Sequence, residues 1–190
     1  MSQVYQVRLE GNVTRTIHID DCMTHKIELT DILTTEEMKK ILKQELLKQG
    51  WTQEGDNTFV KKEDGENIVW DLDAGEVKAK MGKEKQVSLD VDVVGSSGTR
   101  KNAHENAERA LRQKENEAQT TIDEMEQKEL EKISAQLQSN EKARVKKING
   151  VLSRVYTEAI KQKAGQLGSI TSIQEGQSGD DHQVLIRVEA

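Results

Sequence analysis

From Thr99 to Ala164 the chain runs without a proline and with one internal glycine, Gly150. Few folds accommodate such a stretch. Its apolar residues form a thin stripe at helical spacing: Leu111, Ala118, Ile122, Met125, Ile133, Leu137, Ile148, Val151, Leu152, Val155 and Ala159. That spacing predicts helix. The recurrence Leu111, Ile122, Ile133 is eleven residues per three turns, so a regular left-handed zipper is not specified.

Charge divides this stretch in two. Seven acids stand against Lys128 between Glu115 and Glu131, and seven bases against Glu141 and Glu158 between Glu141 and Lys163. Gln138-Ser139-Asn140 separates the blocks, and Asn140 suits a helix N-cap with Glu141 in the first turn. A turn there lays the acidic helix against the basic one, so charge complementarity favours a helical hairpin. The alternative is a continuous helix of about 100 Å at 1.5 Å per residue, paired with another chain.

The flanks read as strands. Tyr5, Val7 and Leu9 alternate with polar residues, Gly11-Asn12 suits a two-residue turn, and Val13, Ile17 and Ile19 resume the alternation. Lys26 to Leu29 is a further short strand. Thr34 and Glu37 form a capping box, and Met38, Ile41, Leu42, Glu45 and Leu46 share one helical face. Gly50 stands where a left-handed cap belongs, with Trp51 beyond it. Strands follow at 58–60, 67–73 and 76–81, with a turn at Ala74-Gly75. Another is marked by Val87, Leu89, Val91 and Val93, then a Gly95–Gly98 hinge. After Gly165 and Gly168, strands at 169–174 and at Val184, Ile186 and Val188 form a hairpin, expected to return to the first sheet.

The expected fold is therefore α+β: an antiparallel sheet packed by one helix (1–98), a helical arm (99–165), and a C-terminal hairpin (166–190) rejoining the body.

Composition narrows the function. Charged residues are 33% and aromatics 3%, and a small body has little room for a deep cavity. Net charge −6 argues against a nucleic-acid footprint or polybasic membrane surface. Cys22 is the one cysteine, which suits a reducing compartment. The N-terminus has no signal-peptide pattern and no apolar run reaches a membrane span, so the expected location is cytoplasmic.

Chemistry-bearing clusters are weak. His18, Asp20, Cys22 and His25 match no zinc spacing, and a strand end explains them. Asp71, Asp73, Asp90 and Asp92 sit on the solvent side of their alternations. The run 95–101 lacks phosphate-loop spacing, and no nucleophile elbow accompanies the serines. Lys142 to Lys147 has no interleaved aromatics, and Trp51 and Trp70 read as core. No enzyme, metal or cofactor reading follows.

One global pattern is familiar: a strand, a helix ending LLKQGW (Leu46 to Trp51), hairpins, a helical segment, and a closing GSITSIQEGQSGDDHQVLIRVEA (Gly168 to Ala190). This resembles the small accessory proteins found beside AAA+ ATPases in FtsH ternary systems. The resemblance implies a non-enzymatic accessory subunit working with an ATPase. With the residue-level reading it gives an adaptor binding a protein partner through the arm, with Ile122, Met125, Ile133 and Leu137 as exposed anchors. The alternative is a structural protein self-assembling through the arm into a homo-oligomer.

Overall fold

The computed structural model describes residues 4–178 and 181–189. In chain order the elements are β1 (Tyr5–Lys26), α1 (Thr35–Lys48), β2 (Thr52–Gln53), β3 (Thr58–Glu63), β4 (Glu66–Asp71), β5 (Glu76–Ser97), α2 (Arg100–Leu167), β6 (Ser169–Ser178) and β7 (Asp181–Glu189). The first five strands make one antiparallel sheet in the order β1-β5-β4-β3-β2. Strands β6 and β7 form a separate two-stranded sheet. The fold is α+β as expected, but the hairpin does not add its strands to the first sheet.

Helix α2 is one uninterrupted helix of 68 residues, so the expected hairpin at Gln138–Asn140 does not form. Its buried pairs, Ala103/Ala107, Ala118/Ile122 and Ile133/Leu137, recur every fifteen residues. Fifteen residues in four turns lies above the 3.6 of a straight helix, so the seam drifts slowly and carries no left-handed coiled-coil repeat.

The chain divides into two compact units: Met1–Asp21 with Gly82–Gln136, and Cys22–Met81 with Leu137–Ala190. Strands β1 and β5 and helix α2 each contribute to both units.

In the first unit, β1 and β5 pair through Arg8 with Asp92 and Asn12 with Ser88 and Asp90. Ile17, Ile19, Val87 and Val93 of the strands are buried, as are Ala103, Ala107, Ala118, Ile122 and Ile133 of α2. Gly11 lies within β1 and makes no turn. A Cβ there would stand 3.3 Å from both Leu111 Cδ1 and Val91 Cγ2. Its role is close approach of helix to strand. Gly95 is tighter still: a Cβ would meet the backbone of Ala103 at 2.2 Å and of Ala107 at 2.4 Å. The expected hinge is therefore packed strand, and β5 passes to α2 across Gly98 and Thr99 alone. The Thr99 hydroxyl accepts from the Asn102 amide and caps the helix.

The second unit carries most of the large apolar side chains. Helix α1 is bounded as its sequence predicts. Thr34 Oγ1 accepts from the Glu37 amide, the Thr34 amide donates to Glu37, and Met38, Ile41, Leu42, Glu45 and Leu46 are buried. Gly50 takes φ +78°, and the Gly50 and Trp51 amides donate to Leu47 and Leu46. Trp51 meets Trp70 edge to face at 5.7 Å. Phe59, Leu72, Val77, Ile148, Val151 and Val155 complete the core. Gly75 (φ +63°) turns β4 into β5, as expected, and the Ile27 amide donates to its carbonyl. Residue 27 onward is loop, so the short strand expected at 26–29 ends at Lys26.

Candidate interaction surface

The anchors expected on the helix are not on the surface. Ile122 and Leu137 are fully buried and Ile133 is 7% exposed. Met125 alone reaches solvent, at 36%. The apolar stripe was long enough to bind a partner, but the chain's own strands cover it. The expectation of an exposed contact seam is corrected on this point.

The same correction explains the charge blocks. They do not face each other; each meets opposite charge on other segments of its own unit. In the first unit, Arg15 of β1 reaches Asp123 and Glu126, and Lys83 of β5 stands 3.6 Å from Glu129. The hydrogen bond that Arg15 donates to the Asp123 carboxylate is the main cause that raises the Arg15 pKa. In the second unit, Lys147 of α2 meets Glu63 at 3.0 Å and Asp64 at 3.4 Å, and the Glu63 bond raises the Lys147 pKa. Arg154 lies 3.4 Å from Glu45 of α1.

One pair of this kind is buried. Arg144 Nη1 donates to both carboxylate oxygens of Glu66 at 2.8 Å, and both side chains are 2% exposed. Asn140 Nδ2 donates to the same carboxylate, while Arg144 Nη2 donates to the Leu137 carbonyl. Arg144 Nε lies 3.5 Å from His25 Nε2. A charge pair is tolerated in such a place only with this degree of satisfaction. Glu66 was not among the residues singled out from sequence. Arg144 carried the available signal: it sits seven residues after Leu137 and four before Ile148, on the buried stripe.

The other candidate clusters come apart. His18, Asp20 and Cys22 are exposed along β1, whereas His25 points the other way, towards Arg144. Asp71 accepts from the Asp73 and Ala74 amides, making the turn, and Asp73 is held by Lys39 and Asn57. Asp90 and Asp92 are held by Asn12 and Arg8. Among the described residues no three such side chains converge as a metal site. No helix of the described residues is long and apolar enough to cross a membrane.

Concavities are shallow. One, about 300 Å³, is lined in the second unit by Trp51, Ile68, Ile148 and Val151 beside Gly150. Its polar wall is already engaged: Lys61 donates to the Gln49 carbonyl and Arg144 to Glu66. That volume is at the lower limit of small-molecule sites.

Exposed apolar surface lies elsewhere. Of the large hydrophobic side chains that reach solvent among the described residues, Leu167, Ile170, Ile173, Leu185 and Val188 fall within the last stretch of chain. The others, such as Val4, Leu47 and Val94, are scattered. Cross-strand pairing sets Ile170 against Val188 and Ile173 against Ile186. A bulge between Ile170 and Ser172 brings Ile170 and Ile173 to one face, together with Val184, Ile186 and Val188. Gly168 permits this closure, since a Cβ there would stand 2.3 Å from the Glu189 carbonyl. The hairpin thus carries an aliphatic face that is only partly covered.

No curated protein and no solved structure matches this chain. A family model described as FtsH ternary system domain X5 matches it over residues 1–190.

Proposed function

The chain belongs to the FtsH ternary system domain X5 family, and we propose that it serves such a system as a non-enzymatic adaptor that docks on an AAA+ ATPase partner. The docking element is the aliphatic face of the β6–β7 hairpin, not the seam of α2. The observation that carries this reading is the concentration of Ile170, Ile173 and Val188, each 37–42% exposed, on one face of a single two-stranded element. A lone hairpin of this kind is marginal in water, and a protein surface laid on its apolar face offsets that deficit. Elsewhere the surface is dense in charge and its ion pairs are internal, which suits solubility and not a second apolar contact.

The test is co-elution of purified full-length chain with the FtsH-type ATPase of its host. The wild-type chain is expected to co-elute, and Ile173→Asp combined with Val188→Asp to weaken binding by about a hundredfold or more, the size of two lost interface anchors. Equal retention of the double variant would overturn the assignment of the hairpin. Failure of the wild-type chain to bind would overturn the adaptor role.

A further inference from the structure

Two strands of unequal regularity make the hairpin. Strand β6 is interrupted by the bulge at Ile170/Ser172 and contains Gly176, features that guard an edge against further pairing. Strand β7 is paired residue for residue from Asp181 to Glu189. Between Gln183 and Val188 it has one charge, Arg187, and neither glycine nor proline. The outer edge of β7 is therefore regular, aliphatic and unguarded, and no third strand pairs with it among the described residues.

We infer that this edge of β7 pairs antiparallel with the same edge of a second copy of the chain, joining two hairpins into a four-stranded sheet. The edge is complementary to itself in one register. Centred on Ile186, it sets Val184 opposite Val188, Leu185 opposite Arg187 and Gln183 opposite Glu189, so that no like charges meet. Centred one residue later, it would oppose two Arg187 guanidinium groups, which is destabilising. A two-fold axis normal to the sheet leaves both aliphatic faces on one side. Four strands with one apolar face meet the requirement that two strands do not. This goes beyond the docking of an ATPase, because it concerns the edge of the hairpin and not its face.

The experiment is sedimentation of the full-length chain over a range of concentration. The wild-type chain is expected to approach twice its 21.4 kDa mass. Leu185→Arg places two guanidinium pairs in opposition across the axis and leaves the half-exposed hairpin otherwise intact. Its dissociation constant is expected to rise about tenfold. Adding Arg187→Glu to Leu185→Arg is expected to restore the dimer, because each new arginine then faces a carboxylate. A chain that stays monomeric, or a dimer indifferent to both changes, overturns the proposal. An edge occupied instead by a strand of the ATPase, detected as one-to-one stoichiometry with a monomeric chain, overturns it too. A monomer that still binds the ATPase sinks only the pairing. A dimer that does not bind sinks only the adaptor role.

Discussion

The two units use the same three long elements and hold them together by different chemistry. In the first, small residues let backbones approach: Gly95 against Ala103 and Ala107, Gly11 against Leu111. Its ion pairs lie at the rim, with Arg15 34% exposed beside carboxylates that are 33% and 59% exposed. In the second, α1 and two tryptophans supply bulk, and the corresponding arginine, Arg144, is sealed against Glu66. Equal formal charges thus do unequal work. Exposure decides which pair matters, because water screens the rim and leaves the sealed pair dependent on its own partners.

The sharpest way to break the comparison is to remove each arginine. Arg144→Ala strands Glu66 in the core and should cost about 3–5 kcal/mol, read as a lower urea midpoint. Replacing the pair together, Arg144→Met with Glu66→Leu, should recover most of that loss, since well-packed apolar side chains need no partner. Arg15→Ala leaves two carboxylates that water can solvate, and its midpoint should stay close to wild type. A large loss there would mean that the first unit also depends on its charges.

A smaller contrast comes from one substitution made in both units. Gly95→Ala drives a methyl group into helix backbone and should destabilise by about 3 kcal/mol. Gly150→Ala enters a helix interior where an added Cβ meets nothing within 4 Å, and should stabilise by up to about 1 kcal/mol. Opposite shifts in melting temperature are the expected signature. If both changes destabilise, the opening beside Gly150 is not the empty space that the geometry describes.

What the sequence made legible follows the range of the physics involved. Helix α1 was readable to the residue because its signals, Thr34, Glu37 and Gly50, act within one turn. Gly11-Asn12 misled because the fact that settles it, the side chain of Leu111, lies a hundred residues away. The charge blocks announced that partners were needed. They did not say which, since Arg15 and Lys83 on one side and Glu63 and Glu66 on the other belong to strands distant in sequence. The stripe lies where its spacing predicts, but Ile122, Ile133 and Leu137 are buried where exposure was expected. Periodicity reports that a face is buried, and a strand of the same chain buries it as well as a foreign helix does. The hairpin's aliphatic face was visible as alternation, but its exposure depends on the first sheet closing without it.

The smallest expected effect concerns two glutamates held below their ordinary pKa of 4.5, one in each unit. Glu37 is lowered chiefly by the Thr34 hydroxyl and then by the Thr34 amide, both fixed by the cap. Glu129 is lowered chiefly by its hydrogen bond from Lys132, with attraction from Lys132, Lys83 and Lys85 behind it. A carboxyl depressed on folding contributes stability above its unfolded pKa and loses it as pH falls through the folded value. Acidification below 4.5 should therefore lower the urea midpoint, and Glu37→Gln, which keeps the capping geometry, should flatten that dependence. Salt separates the two causes. Short hydrogen bonds from the uncharged Thr34 donors to the Glu37 carboxylate depend little on ionic strength, whereas attraction among exposed charges fades as the screening length shortens. Carboxyl-carbon NMR titrations at low and high salt should leave Glu37 depressed and let Glu129 rise towards its ordinary value. Equal movement of both would mean that the Thr34 box is held by charge, and that the two units differ less at their surfaces than in their cores.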